Sequence, residues 1–248
     1  TMSLPWYQTW FNTPYYHDLY QHRDLNEAKA FIESLCQKVG VKEGEIAIDV
    51  ACGRGRHAQV LANQGLDTVG LDLSPESISF ANQFAHEGLN FRVGNMLEPF
   101  EVTEADWVFN PFTSFGYFEE DTMHACAIAN MAGALKPGGK LVLDYMNAEK
   151  IATQLVPEDS VQTKMARYKI TRHIESESIV KRISFEEPGC NILQFEERVR
   201  AFESHELIHF METAGLRVLD QHGDYDLSPF SPKESDRLII IAQKPLLS

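Results

Sequence analysis

The 248-residue chain has only four cysteines, Cys36, Cys52, Cys126 and Cys190. They form no C-x-x-C pair and no regular framework, so they read as reduced thiols rather than a disulfide scaffold. No apolar run approaches the length of a bilayer span. The opening residues lack the basic and apolar regions of a signal peptide. The expected location is therefore the cytoplasm, with no membrane partner. Basic charge is also scarce: 22 Lys and Arg stand against 36 Asp and Glu, a formal net charge of −14. That balance opposes non-specific binding to nucleic acid through phosphates, although a local basic patch remains compatible with it. What is present is an ordinary apolar fraction of 44%, enough for one large α/β domain with an elaboration.

The organising stretch runs from Ile46 to Pro75. Ile46 to Val50 is a short β-branched run carrying Asp49, and Gly53 and Gly55 follow it directly. A helical pattern then starts at Arg56 and stops at Gly65, and a second strand from Asp67 ends at Asp72. This is a β-α-β unit with a glycine turn after one strand and an acid after the next. In an open parallel sheet both lie on the edge where ligands bind. Gly53-x-Gly55-x-x-Ala58 with Asp72 also fits the loose dinucleotide fingerprint, which keeps a nicotinamide-dependent oxidoreductase as an alternative.

The string D-V-A-C-G-R-G (residues 49–55) resembles motif I of the class I S-adenosylmethionine methyltransferases, and G-L-D-L-S-P (70–75) resembles their next motif. S-adenosylmethionine carries a sulfonium and an ammonium and no phosphate, so an acid beside the turn suits it better than a pyrophosphate. The resemblance covers most of the chain from about residue 15 to 244. It implies an α/β fold with a doubly wound, seven-stranded, mostly parallel sheet. It also implies a cofactor site of Asp49, Ala51, Gly53, Gly55, Asp72, Leu73, Asn95, Met96 and Asn110. Asn95 stands where the family often has an acid for the adenine amino group.

The aromatic segment Trp6 to Tyr20 resembles the N-terminal part of small-molecule methyltransferases, in which a tyrosine and an arginine reach the methionine end of the cofactor. Tyr16 and Arg23 are the matching residues, and an arm packed only on its own domain is the equal alternative. P-F-T-S-F-G-Y-F (111–118) follows the fourth strand and resembles the substrate loop of amine-directed members. It nominates Phe112, Ser114, Phe115 and Tyr117, with a hydrophobic plug as the other reading. Tyr145 and Asn147 fall at the same sheet edge, where Asn147 could equally cap the next helix.

Residues 165–202 alternate in three runs, the pattern of an antiparallel meander. Such a meander is either a lid over the site or a dimer interface, so monomer and homodimer both stay open. Arg200 on its last run is a candidate anion site, or a solvated or paired surface arginine. Tyr117, Tyr145 and His173 are the candidate proton acceptors. His205-Glu206-Leu207-Ile208-His209 matches H-E-x-x-H, but both histidines fall off the helix's apolar stripe and Glu212 occupies the place of the glycine that would extend the motif. No metal is expected. The parts read as an aromatic arm and helix (1–40), a cofactor-binding core (41–155), the meander (156–203), and a last helix with a closing hairpin (204–248). The expected function is methyl transfer from S-adenosylmethionine to a nitrogen or oxygen of a small polar molecule. The alternatives are a binder of that cofactor without catalysis, or action on a protein or nucleic acid.

Overall fold

The computed structural model describes residues 5–21, 25–187 and 191–246. Two short helices, α1 (Trp6–Trp10) and α2 (Pro14–Leu19), precede α3 (Leu25–Val39). The βα repeat follows: β1 (Ile46–Val50), α4 (Arg56–Asn63), β2 (Asp67–Asp72), α5 (Pro75–Ala81), β3 (Leu89–Val93), β4 (Ala105–Asn110), α6 (Asp121–Ala134), β5 (Leu135–Met146) and α7 (Ala148–Gln154). Four strands interrupt it: β6 (Glu158–Gln162), β7 (Arg167–Glu175), β8 (Ser178–Glu187) and β9 (Asn191–Arg200). The described chain closes with α8 (Ser204–Thr213), β10 (Arg217–His222) and β11 (Arg237–Gln243).

The main sheet has the order β10-β11-β5-β4-β1-β2-β3. Strands β1 to β5 are mutually parallel, while β11 and β10 are added antiparallel. The order reverses at β1, which lies between β2 and β4. Crossover connections leave a crevice at that point, beyond the carboxyl ends of the strands. The central strands are apolar on both faces because helices cover both. Ile48, Val108 and Leu143 pack on one face, and Ala47, Trp107 and Val142 on the other.

Local chemistry sets the element ends. Gly55 takes φ +82° at the start of α4, and an added Cβ there would meet the Phe91 ring at 2.5 Å. Ser74 caps α5 by accepting the Ser77 amide at 3.1 Å, with Pro75 as the first helical residue. A capping box of Glu203 and Glu206 starts α8. Glu120 caps α6, whose first residue is Asp121. Lys136-Pro137-Gly138-Gly139 lies inside β5, absorbed by a register shift against β4.

The second sheet has four strands, β6-β7-β8-β9, not three. Strand β6, E-D-S-V-Q, is polar and at an edge, so it carries no alternation to read. One face of this sheet buries Tyr168, Ile170, Ile183 and Phe185, and the arm supplies Trp10 and Leu19 to the same cluster. Tyr168 Oη donates to Asp18 Oδ2 at 2.8 Å. Trp10 Nε1 donates to Glu197 Oε1 at 2.7 Å. The arm therefore packs mainly on the second sheet, with Tyr7 reaching the main core. Tyr168 is fully buried, so Tyr168→Ala should cost about 3–5 kcal/mol, as deletions of buried aromatic side chains do. A denaturant titration followed by fluorescence of Trp6 and Trp10 in the arm checks this. A shift in the midpoint of less than about 1 kcal/mol equivalent would contradict the assigned core.

Candidate active site

Two cavities flank the glycine turn after β1. The larger, about 860 Å³, is walled by the arm, the 111–118 loop, α7 and the inner face of the second sheet. The smaller, about 110 Å³, lies toward β3. Ala51, Asp72 and Tyr117 line both.

Asp72 shapes the junction. Its Oδ2 accepts the Gly53 amide and its Oδ1 the Ser74 amide, each at 2.8 Å. Burial raises its pKa, and those two amides hold it down in part. Asp49, one strand over, is fully buried, and among the described residues neither of its oxygens has a hydrogen bond. Burial pushes its carboxyl up to about 8. The Ala58 amide and Arg56 pull the other way without forming a bond, and Asp72 adds to the rise. A carboxylate buried without a partner is costly, so the position favours a protonated acid or a cationic neighbour.

The loop after β4 is held by Asp144 on β5. Its Oδ2 accepts the Phe112 amide at 2.7 Å and the Tyr225 hydroxyl at 3.2 Å. Its Oδ1 pairs with Arg237 at 2.8 Å. Arg237 also donates to Thr113 Oγ1 at 2.9 Å. Burial alone would depress the Arg237 pKa, but Asp144, Tyr225 and Glu27 together outweigh it and the net shift is upward. This network sustains two consecutive non-glycine residues at positive φ, Phe112 at 67° and Thr113 at 57°.

The expected residues separate into distinct places. Gly53, Phe112, Ser114 and Tyr16 line the larger cavity, and Leu73, Asn95 and Met96 the smaller. The Asn95 side-chain carbonyl accepts the Leu97 amide at 3.0 Å, which leaves one lone pair for any further donor. Asn110 is fully buried behind the wall, with Nδ2 on Val50 O at 3.0 Å. Gly55 lies behind it too, at the start of α4. Arg23 lies outside the described residues.

Five expected site residues line neither cavity, and of these Asn147 and Arg200 follow their alternative readings, as helix cap and paired arginine. Tyr145 is fully buried, with its hydroxyl donated to Arg200 O, and burial raises its pKa far above the usual phenol range, so it is not a proton acceptor. His173 points away from the larger cavity, because the two-residue period of β7 turns Arg172 inward and His173 outward toward Glu175, 3.7 Å away. Phe115 is a core residue against His124, Tyr145 and Phe202. Asn147 binds the loop before β11, through Pro232 O at 2.8 Å and Ser235 O at 2.7 Å, and also caps α7. Arg200 shares the outward face of β9 with Arg198 and is paired with Asp121 at 3.2 Å and Glu177 at 3.0 Å. Sequence reasoning did not reach Arg172, Lys181 and Glu197, which line the larger cavity from β7, β8 and β9. The available signal was a charged residue on an otherwise apolar face of each strand. On α8, Leu207 and Met211 are buried and His205 is exposed. Among the described residues no group of three His, Cys, Asp or Glu is placed to hold a metal.

Residues 41–215 match the family model described as a methyltransferase domain. The chain belongs to the class I methyltransferases. Membership removes the oxidoreductase alternative. A Streptomyces venezuelae enzyme, dTDP-3-amino-3,4,6-trideoxy-alpha-D-glucopyranose N,N-dimethyltransferase, is 27% identical over 190 residues, covering 71% of this chain and 77% of the relative. Other relatives are matched over only about half their own length, 47% and 50% in two cases. Among solved structures, an S-adenosylmethionine-dependent methyltransferase from Clostridium acetobutylicum superposes with TM-score 0.78 at 20% identity, over 93% of this chain and 96% of the other. CalS10, an amino pentose methyltransferase from Micromonospora echinaspora, gives 0.70 at 18% identity over 98% and 99%. These likenesses show the fold of this methyltransferase.

Asp49 supplies a pH test. Its carboxyl is raised from an ordinary value near 3.8 to about 8. The stability associated with the protonated form is thus fully present below about pH 4 and lost as pH rises toward 8. Asp49→Asn should remove this loss and stabilise the ligand-free methyltransferase near pH 7 by about 1–3 kcal/mol. Denaturant midpoints of both proteins from pH 4 to 8 measure it. Parallel pH profiles would contradict the raised value.

Proposed function

We propose that this methyltransferase transfers the methyl group of S-adenosylmethionine to the nitrogen of a small amine. The observation that carries the reading is the pair of acids at the ends of β1 and β2, Asp49 buried without a hydrogen bond and Asp72 at the junction of two cavities. A donor with two cationic centres fits an acidic neighbourhood, and a flat apolar ring system fits a smaller cavity lined by Leu71, Leu73, Met96 and Phe100. Asp72 would take the ribose hydroxyls with the lone pairs its two amide bonds leave free. Ala51 and Gly53 would offer backbone at the turn, Asn95 would meet the base, and Tyr16 would cover the amino-acid end. When bound, the donor supplies a methyl group already activated on a sulfonium.

The protein's own contribution is positioning. Alignment of reacting groups contributes up to about 7–11 kcal/mol of barrier lowering in well-oriented systems. Tyr117 donates its hydroxyl proton to Thr113 O at 2.6 Å, which fixes Oη at the cavity wall, where it would meet an acceptor N–H. The ring is fixed by Trp6, Tyr7 and Phe11 of the arm, so arm and loop orient one another. A neutral amine held this way presents its own lone pair and needs no covalent intermediate. Phe112 and Ser114 would line the acceptor's place, with the second sheet acting as a lid that keeps water out. The similarity to an enzyme named as an amine N,N-dimethyltransferase supports nitrogen as the target atom and a small molecule as the partner. The proposed division of the chain follows: arm and first helix 1–40, cofactor core 41–155, lid 156–203, closing segment 204–248.

Two variants test the reading. Asp72→Ala should weaken S-adenosylhomocysteine binding by about 10- to 100-fold in titration calorimetry, the scale of lost hydrogen bonds to a charged group. Tyr117→Phe should leave that affinity unchanged and lower kcat/KM for the best amine by about tenfold. Tight donor binding with no turnover across a panel of small amines would favour a binding protein without catalysis.

A further inference from the structure

Over the middle of β7, β8 and β9 the inner face of the second sheet is apolar except for one row. Ile170, Ile183 and Phe195 are cross-strand neighbours, and so are Ile174, Ile179 and Val199. Between them lie Arg172, Lys181 and Glu197, also direct neighbours at one register. All three line the larger cavity, and their side chains are only 14–23% exposed. A charged row across a half-buried face runs against the pattern that stabilises such a sheet, so it calls for a ligand.

The two ends of the row differ. Glu197 is met by the Trp10 indole at 2.7 Å, the Tyr20 hydroxyl at 2.8 Å and Lys181 at 3.6 Å. Its carboxylate is occupied in joining the arm to the sheet. Arg172 is held loosely. Among the described residues its guanidinium makes one hydrogen bond, 3.3 Å to Val156 O, and Asp159 stands 3.8 Å away, beyond hydrogen-bond reach. Asp159 is itself about half exposed, so that pair is weak. A guanidinium offers five donors in a fork matched to carboxylate or phosphate. Arg54, Arg56, Lys150 and Arg237 also line this cavity, against the acids Asp72, Asp159, Glu197 and Asp236, and of these Lys150 is paired with Asp236 and Arg237 with Asp144. The donor carries a single carboxylate, which would occupy at most one of these cations.

Resting on the amine-methylation reading, the geometry points to an acceptor that carries an anionic group, carboxylate or phosphate, bound by Arg172 with Lys181 beside it. Arg172 is then a specificity residue, and neutral amines are poor acceptors. The row spans two strand spacings, about 10 Å, which suits a small molecule rather than a polymer.

The test is calorimetry on the whole protein, wild type and Arg172→Gln, saturated with S-adenosylhomocysteine. The probes are glucosamine 6-phosphate, γ-aminobutyrate and glucosamine. Wild type should bind at least one anionic amine about tenfold or more tighter than glucosamine, and Arg172→Gln should erase the difference. Which anionic probe wins tells phosphate from carboxylate. For any probe that is methylated, the variant should raise KM and leave kcat unchanged. Affinities for S-adenosylhomocysteine and methylthioadenosine should be unchanged, which also reports intact folding. The inference fails if no anionic probe binds, if glucosamine binds equally well, or if the preference survives in the variant. It also fails if the variant loses S-adenosylhomocysteine but not methylthioadenosine, because Arg172 would then hold the donor's carboxylate. Absence of S-adenosylhomocysteine binding to wild type would instead overturn the donor reading, leaving the two failures distinct.

Discussion

The carboxylate of Asp72 joins the parts on which this methyltransferase depends. One oxygen receives the amide of the glycine turn after β1, and the other receives the amide of the residue that caps α5. Two adjacent βα units are thereby locked at their ligand edge, and the acid lies in the wall of both cavities. Asp49 lies beneath the same edge without a hydrogen bond among the described residues. The two acids differ in environment: backbone amides partly stabilise the charge of Asp72, while burial penalises that of Asp49. Buried carboxyls with pKa values shifted in this way mark a candidate functional site.

A second constraint works at the other side of the cavity. Asp144 and Arg237 hold Phe112 and Thr113 in a left-handed backbone that neither residue prefers, and so place Tyr117 in the wall shared by the two cavities. Tyr117 then meets the arm, and the arm meets the second sheet through Trp10, Tyr20 and Glu197. Loop, arm and sheet thus form one connected wall. A change in any of them should alter the acceptor's place before it alters the main core.

The sheet's inner and outer faces explain why several candidate residues fall away from the cavity. His173 and Arg200 are each one residue from an inward-facing position, Arg172 and Val199. In a strand, one residue of offset reverses the side of the sheet. Tyr145 and Phe115 show a different limit. They are aromatic and adjacent to the ligand edge, but aromatic side chains at that place in a chain serve a core as readily as a site, and their burial depends on Phe202 and His124, which are distant in sequence.

The sequence by itself determined the parallel sheet, the glycine turn, the two acids at the ends of β1 and β2, and the antiparallel character of the 165–202 region. Those features rest on local pattern: strand alternation, glycine at positive φ, and caps within a few residues. Only the tertiary structure decided which face of each lid strand looks inward, that a polar fourth strand, β6, completes the second sheet, and that the arm packs there. It also decided that Arg237 anchors the substrate loop and that Arg172 is left loosely held above the cavity. The arm and loop contacts join residues more than a hundred positions apart, and the inward faces and the place of β6 are set by register and packing rather than by local propensity.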